Sequence, residues 1–149
     1  MTALVLVEFD ASGIKQPSRS AVAAAEKLGE AIARLPGTKL VHTNGSLAHA
    51  NRVLARLGLT AHFSGIFDIA AADFMPKPDP SGYRRLCEIH AVDPSRACMI
   101  EDLVVNLEPA KTAGMVTVWV DASGGDIRDY PYVDYRTDDL AAWLQRLKR

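Results

Sequence analysis

Cysteine is scarce in this sequence: Cys87 and Cys98 are the only two among 149 residues. The two could pair, but in a reducing compartment they read as two buried thiols. None of His42, His49, His62 and His90 shares a metal-ligand spacing with a second histidine or a cysteine, so all read as structural or surface residues. No run of about 18 apolar residues occurs, which leaves no segment fit to span a membrane as a helix. The opening MTALVLVEFD meets acidic residues too early for the apolar stretch of a signal peptide, so a cytoplasmic location is expected. An excess of one charge is lacking too: 17 Lys+Arg against 18 Asp+Glu leave a net charge of −1. That balance argues against a nucleic-acid partner held by bulk positive charge, and no charge run, internal repeat or low-complexity stretch contradicts it.

What is present is an ordinary globular composition, 48% hydrophobic and 23% charged, at a length that suits one domain over residues 1–149. At this size folding buries roughly 68–70% of the surface of the unfolded chain, so the core needs no disulfide or structural metal.

Short apolar runs alternate with helical periodicity along the chain. Ala3–Phe9 (ALVLVEF) reads as a strand, and the polar stretch Asp10–Ser18 as a loop. From Ser18, a plausible N-cap, Val22, Ala25, Leu28, Ile32 and Leu35 recur at helical spacing until Pro36-Gly37 stops them. Gly29 falls inside that helix and weakens it by about 1 kcal/mol relative to alanine. Lys39–His42 reads as a strand running into the turn Thr43-Asn44-Gly45-Ser46, and the helix carrying Leu47, Ala50, Leu54 and Leu57 ends at Gly58. Then come a strand over Ile66–Ala70, a loop stiffened by Pro76 and Pro78, a helix over Pro80–His90 and a strand over Ala97–Ile100 ending at Glu101-Asp102. A helix over Leu107–Ala113, a strand over Thr117–Val120, a short strand over Val133–Arg136 and a closing helix capped by Asp138 or Asp139 complete the order. Trp119 and Trp143 fit a strand and a helix face and read as core. This alternation implies an α/β class with a mostly parallel sheet covered on both faces, and such sheets bind ligands at the carboxyl ends of their strands.

The residues just past each strand are polar and ordered: Glu8 and Asp10, then Thr43 and Asn44, then Lys77, then Glu101 and Asp102. Hard carboxylate oxygens from two loops suit Mg²⁺, which takes one or two carboxylates and keeps waters that phosphate oxygens displace. A lysine and a hydroxyl beside it neutralise and hydrogen-bond a phosphoryl group. Taken singly, each feature has a plainer reading as a helix cap or a solvated side chain. Their succession at strand ends is what points to phosphate chemistry.

The runs AIARLPGTKLVHTNGS, HANRVLARLGL, FSGIFDI, PKPDPSGYRRL and EDLVVNLEPAKTAGMVTVWV, in this order, resemble the haloacid dehalogenase superfamily of phosphohydrolases, and within it the bacterial pyrimidine 5′-nucleotidase branch, from Glu30 onward. The resemblance implies a three-layer, Rossmann-like α/β core acting on a small phosphorylated molecule with Mg²⁺. It makes Thr43 the phosphate-binding hydroxyl with Asn44 and Gly45 beside it, Lys77 the lysine that orients the nucleophile, and Asp102, supported by Glu101, the Mg²⁺ carboxylate. Asn106 matches a polar position of the family.

Two departures qualify that expectation. Family members open with a strand ending D-x-D-x-T, whose first Asp attacks phosphorus and whose second is general acid and base. Here the strand ends Glu8-Phe9-Asp10-Ala11-Ser12. Asp10 and Ser12 fit the second Asp and the Thr, but Glu8 stands at the nucleophile, where it and Asp10 are also the front's carboxylates for the metal. An extra methylene moves the attacking oxygen by about 1 Å or more, which costs about 10²-fold in a preorganised site. The second departure is the lid: the nucleotidase branch inserts a helical cap between the first strand and helix, and here only Ala11–Pro17 fill that gap. The expected core is therefore cap-less, with nothing to exclude water or read a base.

The segment TALVLVEFDASGIKQPSRSAVAAAEKLG, Thr2–Gly29, resembles the amino-terminal strand and Ala-rich helix of the electron transfer flavoprotein alpha subunit. The expectation is a chimera joined near Leu28–Glu30, in which Glu8 came with the donor strand. The flavoprotein holds its cofactor mainly through a later domain that does not match here, so flavin or adenine-nucleotide binding is the lesser alternative. A cap-less phosphohydrolase scaffold of weak or absent activity is the leading reading; a non-catalytic module that self-associates as a homodimer, through apolar surface a cap would cover, is the other.

Overall fold

The computed structural model describes residues 3–7 and 19–147, with side chains described over 23–147. Six strands alternate with five α-helices: β1 Ala3–Val7, α1 Arg19–Arg34, β2 Thr38–His42, α2 Leu47–Leu57, β3 Gly65–Phe67, α3 Pro80–Ile89, β4 Ala97–Glu101, α4 Leu107–Thr112, β5 Val116–Val120, β6 Tyr135–Thr137 and α5 Leu140–Gln145. They form one sheet in the order β3-β2-β1-β4-β5-β6. Every adjacent pair is parallel, and Val5 of the central β1 lies level with Leu40 of β2 and Met99 of β4. The parallel sheet expected from the alternation is thus present, and all its carboxyl ends point to one edge. After β3 the chain crosses to the other side of β1, so the strand order reverses between β1 and β4, the place where such sheets open a crevice.

Two apolar clusters cover the two faces. One packs Tyr83 and Leu86 of α3 and Leu107 of α4 onto Leu40, Phe67 and Met99. The other packs Leu28 and Ile32 of α1, Leu54 of α2 and Leu144 of α5 onto Val41, Ile100 and Val118. Neighbours such as Leu40 and Val41, or Met99 and Ile100, go to opposite faces, as the two-residue period of a strand requires. Among the described residues no helix is long and apolar enough to cross a membrane.

Two expected boundaries move. The third strand stops at Phe67 rather than running to Ala70, because the Asp68 carboxylate accepts hydrogen bonds from the Leu47 N–H and the Ala71 N–H, each at 2.9 Å, and turns the chain. The last strand begins at Tyr135 rather than Val133, because Asp134 turns its N–H and carboxylate onto Thr117 of β5 instead. Of the two candidate caps for α5, Asp139 takes the role and accepts the Ala142 N–H at 2.9 Å. The helix ends match elsewhere: Ser46 caps α2, and Gly58 closes it at φ 69°, a left-handed conformation that glycine adopts without strain.

Gly29 does lie mid-helix, but its cost has a counterpart in packing. A methyl group built there would sit 2.9 Å from His62 Nε2 and 3.2 Å from Leu59 Cδ2, so the missing side chain lets α1 approach the turn after α2. Gly29→Ala is therefore expected to gain less than the ~1 kcal/mol that helix propensity alone offers, and Gly29→Leu to lose about 1–3 kcal/mol by overpacking. Urea unfolding of Gly29→Ala in the wild-type and His62→Ala backgrounds checks this: the full gain should return only where the imidazole has gone.

Candidate active site

The loop after β2 begins at Thr43, which is 3% exposed and ties β2 to β3 through its N–H, hydrogen-bonded to the Phe67 carbonyl at 3.0 Å. Its Oγ1 accepts the Gly45 N–H at 2.9 Å, which closes the turn that leads into the Ser46 cap. The next residue, Asn44, grips a different loop: its Oδ1 accepts the Lys77 N–H at 2.7 Å and its Nδ2 donates to the Lys77 carbonyl at 3.3 Å. Asn44 thereby fixes the backbone at Lys77, in the segment where Lys77-Pro78 is a cis peptide.

The lysine side chain then turns inward. Its Nζ donates to the His42 carbonyl at 3.1 Å and to Glu101 Oε2 at 3.0 Å, with 1% of each charged side chain exposed. The other Glu101 oxygen accepts the N–H groups of Asp102 and Leu103 at 3.2 and 3.3 Å. Both Glu101 oxygens are thus occupied by protein donors. Asp102 is exposed; its Oδ1 accepts the Leu103 N–H at 2.9 Å, and its carbonyl accepts the Trp119 indole N–H at 2.9 Å. Asn106 is 4% exposed, and its carbonyl accepts the Tyr83 hydroxyl at 2.7 Å.

Thr43, Asn44, Gly45, Lys77, Glu101 and Asp102 therefore do meet at one edge. Glu8, Asp10 and Ser12 lie outside the described residues. Two features escaped the reading of the sequence. One is the ion pair itself, since an acidic pair at a strand end does not reveal which member turns inward. The other is the grip of Asn44 on the lysine backbone, whose side-chain donor and acceptor match those of a peptide unit.

Burial sets the electrostatics. It pushes the Glu101 carboxyl up to about 7, with the Lys77 ammonium pulling in the opposite direction. His42 is 1% exposed and lies edge-on to Phe67 and Tyr83, with ring centroids at 5.2 and 5.1 Å. Burial and then the nearby Lys77 charge bring it down to about 3, so its ring is neutral. Its Nδ1 has no hydrogen-bond partner among the described residues.

A family model described as haloacid dehalogenase-like hydrolase matches residues 9–114, more than half of the chain. The chain belongs to that family. The match starts one residue after Glu8 and runs through Gly29. Enolase-phosphatase E1 of Frankia alni is 45% identical over 62 residues, which cover 42% of this chain and 25% of that protein. A solved dehalogenase with an intermediate complex superposes with a TM-score of 0.69 at 21% identity, over 89% of this chain and 57% of that one. A haloacid dehalogenase-family phosphatase from Thermococcus onnurineus gives 0.65 at 22% identity, over 86% and 56%. The chain spans just over half the length of these solved relatives. Dehalogenase and phosphatase share the fold, so the fold alone does not choose between their reactions.

Two outcomes test the buried pair. Lys77→Met leaves a carboxyl under the sheet edge with no cation, which costs about 3–5 kcal/mol when that carboxyl is ionised. A buried carboxyl with a raised pKa binds its proton more tightly folded than unfolded, so stability falls as pH rises through that window. The variant's loss, measured by urea unfolding, should be small at pH 5 and complete at pH 8. His42 runs the other way: with its folded value at about 3 against 6.5, the unfolded state holds more protons between these limits. Stability should therefore fall as pH drops from 6.5 toward 3, and the acid limb should be shallower in His42→Phe.

Proposed function

We propose that this edge binds a phosphoryl group and Mg²⁺, and that the chain is a phosphomonoesterase scaffold whose turnover is limited by Glu8. The observation that carries the proposal is a buried lysine ammonium held between the β2 and β4 ends, with the Thr43 hydroxyl and the Asp102 carboxylate on the same edge. Lys77 Nζ spends two of its three N–H groups on protein acceptors, and the third has no partner among the described residues. Thr43 Oγ1 accepts from Gly45 and keeps its own proton to donate. Both donors suit a group whose charge lies on several equivalent oxygens. The enolase-phosphatase name of the relatives favours a phosphoryl group over a haloacid.

The fit to a divalent cation rests on donor chemistry. Among the described residues no group of three His, Cys, Asp or Glu stands together, and the exposed Asp102 is the carboxylate the edge offers. One or two hard carboxylate oxygens with water are what Mg²⁺ accepts, so Asp102 with Glu8 or Asp10 would hold it. When bound, the ion supplies charge neutralisation for the phosphoryl oxygens. Glu101 holds the lysine and orders the Asp102 and Leu103 backbone; the family resemblance makes Glu8 the carboxylate that would attack, Asp10 the acid and base, and Ser12, with Thr43, the hydroxyls for the phosphoryl oxygens.

The finer ancestry belongs to the same proposal. The pyrimidine 5′-nucleotidase branch rests on the sequence runs from Glu30 onward, and a flavoprotein-like origin of residues 2–29 rests on that segment's own resemblance. A second reading, self-association without catalysis, has one observation in its favour. Leu47, which opens α2, and Phe74, Met75, Leu103 and Val105, which follow β3 and β4 on the segments that carry Lys77 and Asp102, are all exposed.

Mg²⁺-dependent hydrolysis of an aryl phosphate by the wild type, Glu8→Asp and Asp10→Asn tests the proposal. Weak or no wild-type turnover and a gain of about 10²-fold in Glu8→Asp are expected, from the placement of the attacking oxygen. Strong wild-type turnover abolished by Asp10→Asn would overturn the limiting role of Glu8. A dimer by light scattering that ignores both Mg²⁺ and phosphate would favour the second reading.

A further inference from the structure

Gly124-Gly125 lies beyond β5 and has no part in the chemistry proposed above. The loop that contains it is folded by one carboxylate. Asp121 accepts the Ser123 N–H at 2.9 Å, the Ser123 hydroxyl at 2.6 Å, the Gly125 N–H at 2.7 Å and the Arg136 Nε–H at 3.1 Å. The Arg136 Nη2–H also reaches the Asp121 carbonyl at 2.7 Å. These bonds, the Ser123 hydroxyl first, hold the Asp121 carboxyl far below the usual carboxylate range, so the loop stays clasped across ordinary pH.

The clasp presses Gly125 against Trp119. A methyl group built on Gly125 would lie 2.2 Å from Cη2 and 2.8 Å from Cζ3 of the indole, closer than real carbon contacts come. Gly125 is required here for space. Tyr130 meets the indole edge-on at 5.2 Å, and 7% of Trp119 is exposed. Trp119 lies level with Glu101 in the β4–β5 pairing, and its N–H reaches the carbonyl of the next residue, Asp102, at 2.9 Å.

We infer that Trp119, seated by the Asp121–Gly125 loop, is a positioning residue for the Asp102 carboxylate. The inference rests on the reading of Asp102 as a Mg²⁺ ligand. The peptide after Asp102 leaves β4 at an exposed turn; its N–H is shared between Glu101 Oε1 and the Asp102 carboxylate itself, and its carbonyl accepts the indole N–H. Without the indole tie the carbonyl loses its side-chain donor, and the peptide that carries the Asp102 carboxylate is held from its N–H side alone. Partners that orient a metal ligand typically change metal affinity by 10–100-fold.

The test is Mg²⁺ binding to the whole chain by titration calorimetry, with wild type, Trp119→Phe, Gly125→Ala and the control Trp143→Phe, each also followed by thermal unfolding. Trp119→Phe removes the N–H, and Gly125→Ala displaces the ring while leaving every hydrogen-bonding group in place. Both should weaken Mg²⁺ binding by about 10-fold or more, and Trp143→Phe should not, whatever it costs in melting temperature. An unchanged Mg²⁺ affinity in folded Trp119→Phe or Gly125→Ala overturns the inference and leaves the site reading intact. Absence of Mg²⁺ binding by the wild type overturns the site reading and the inference together.

Discussion

An ammonium group with 1% of its side chain exposed must be held by something, and most of the edge depends on what holds Lys77. Removing a lysine and a glutamate from water costs several kcal/mol per ion, and their attraction at close range does little more than offset it. The pair is therefore a poor source of net stability. Its consequence is geometric: Lys77 reaches the β2 end through the His42 carbonyl and the β4 end through Glu101, while Asn44 fixes its backbone. Three loops are thereby locked into one arrangement.

That arrangement makes demands on the core below it. Burial, and then the nearby Lys77 charge, keep His42 neutral, edge-on to Phe67 and Tyr83. Burial, and then the Glu101 charge, push the Tyr83 phenol well above its ordinary value, so it remains a hydrogen-bond donor and finds the Asn106 carbonyl. The polar groups beneath the edge thus form a graded series: charged pair, neutral imidazole, phenol, apolar cluster. Each step lowers the cost of the next layer of burial.

The sheet was legible because its signal is local. Apolar runs such as KLVH and ACMI, punctuated by Gly58 and Asp139, need only their own neighbours to be read. What failed was decided at a distance. Asp68 ends β3 early by bonding Leu47, a residue far back in the chain, and Asp134 delays β6 by bonding Thr117 of another strand. The site divides in the same way. Which residues come after the strand ends is written in order along the sequence, so that Thr43, Lys77 and Asp102 share one edge is legible there. The jobs of Glu101 and Asn44 depend on partners 24 and 33 residues away, which no spacing encodes.

Gly29 and Gly125 extend that point to residues a sequence reading would call a weakness or leave without a role. Both are fixed by a contact, His62 in one case and Trp119 in the other. They differ in what depends on them. Gly29 serves the packing of α1, whereas Gly125 stands one contact away from Asp102 through the indole. The described ties that shape the edge all run between residues 42 and 136, from the His42 carbonyl to the Arg136 guanidinium. The lysine, the Asp102 carboxylate and the core beneath them are thus joined by contacts among the described residues themselves.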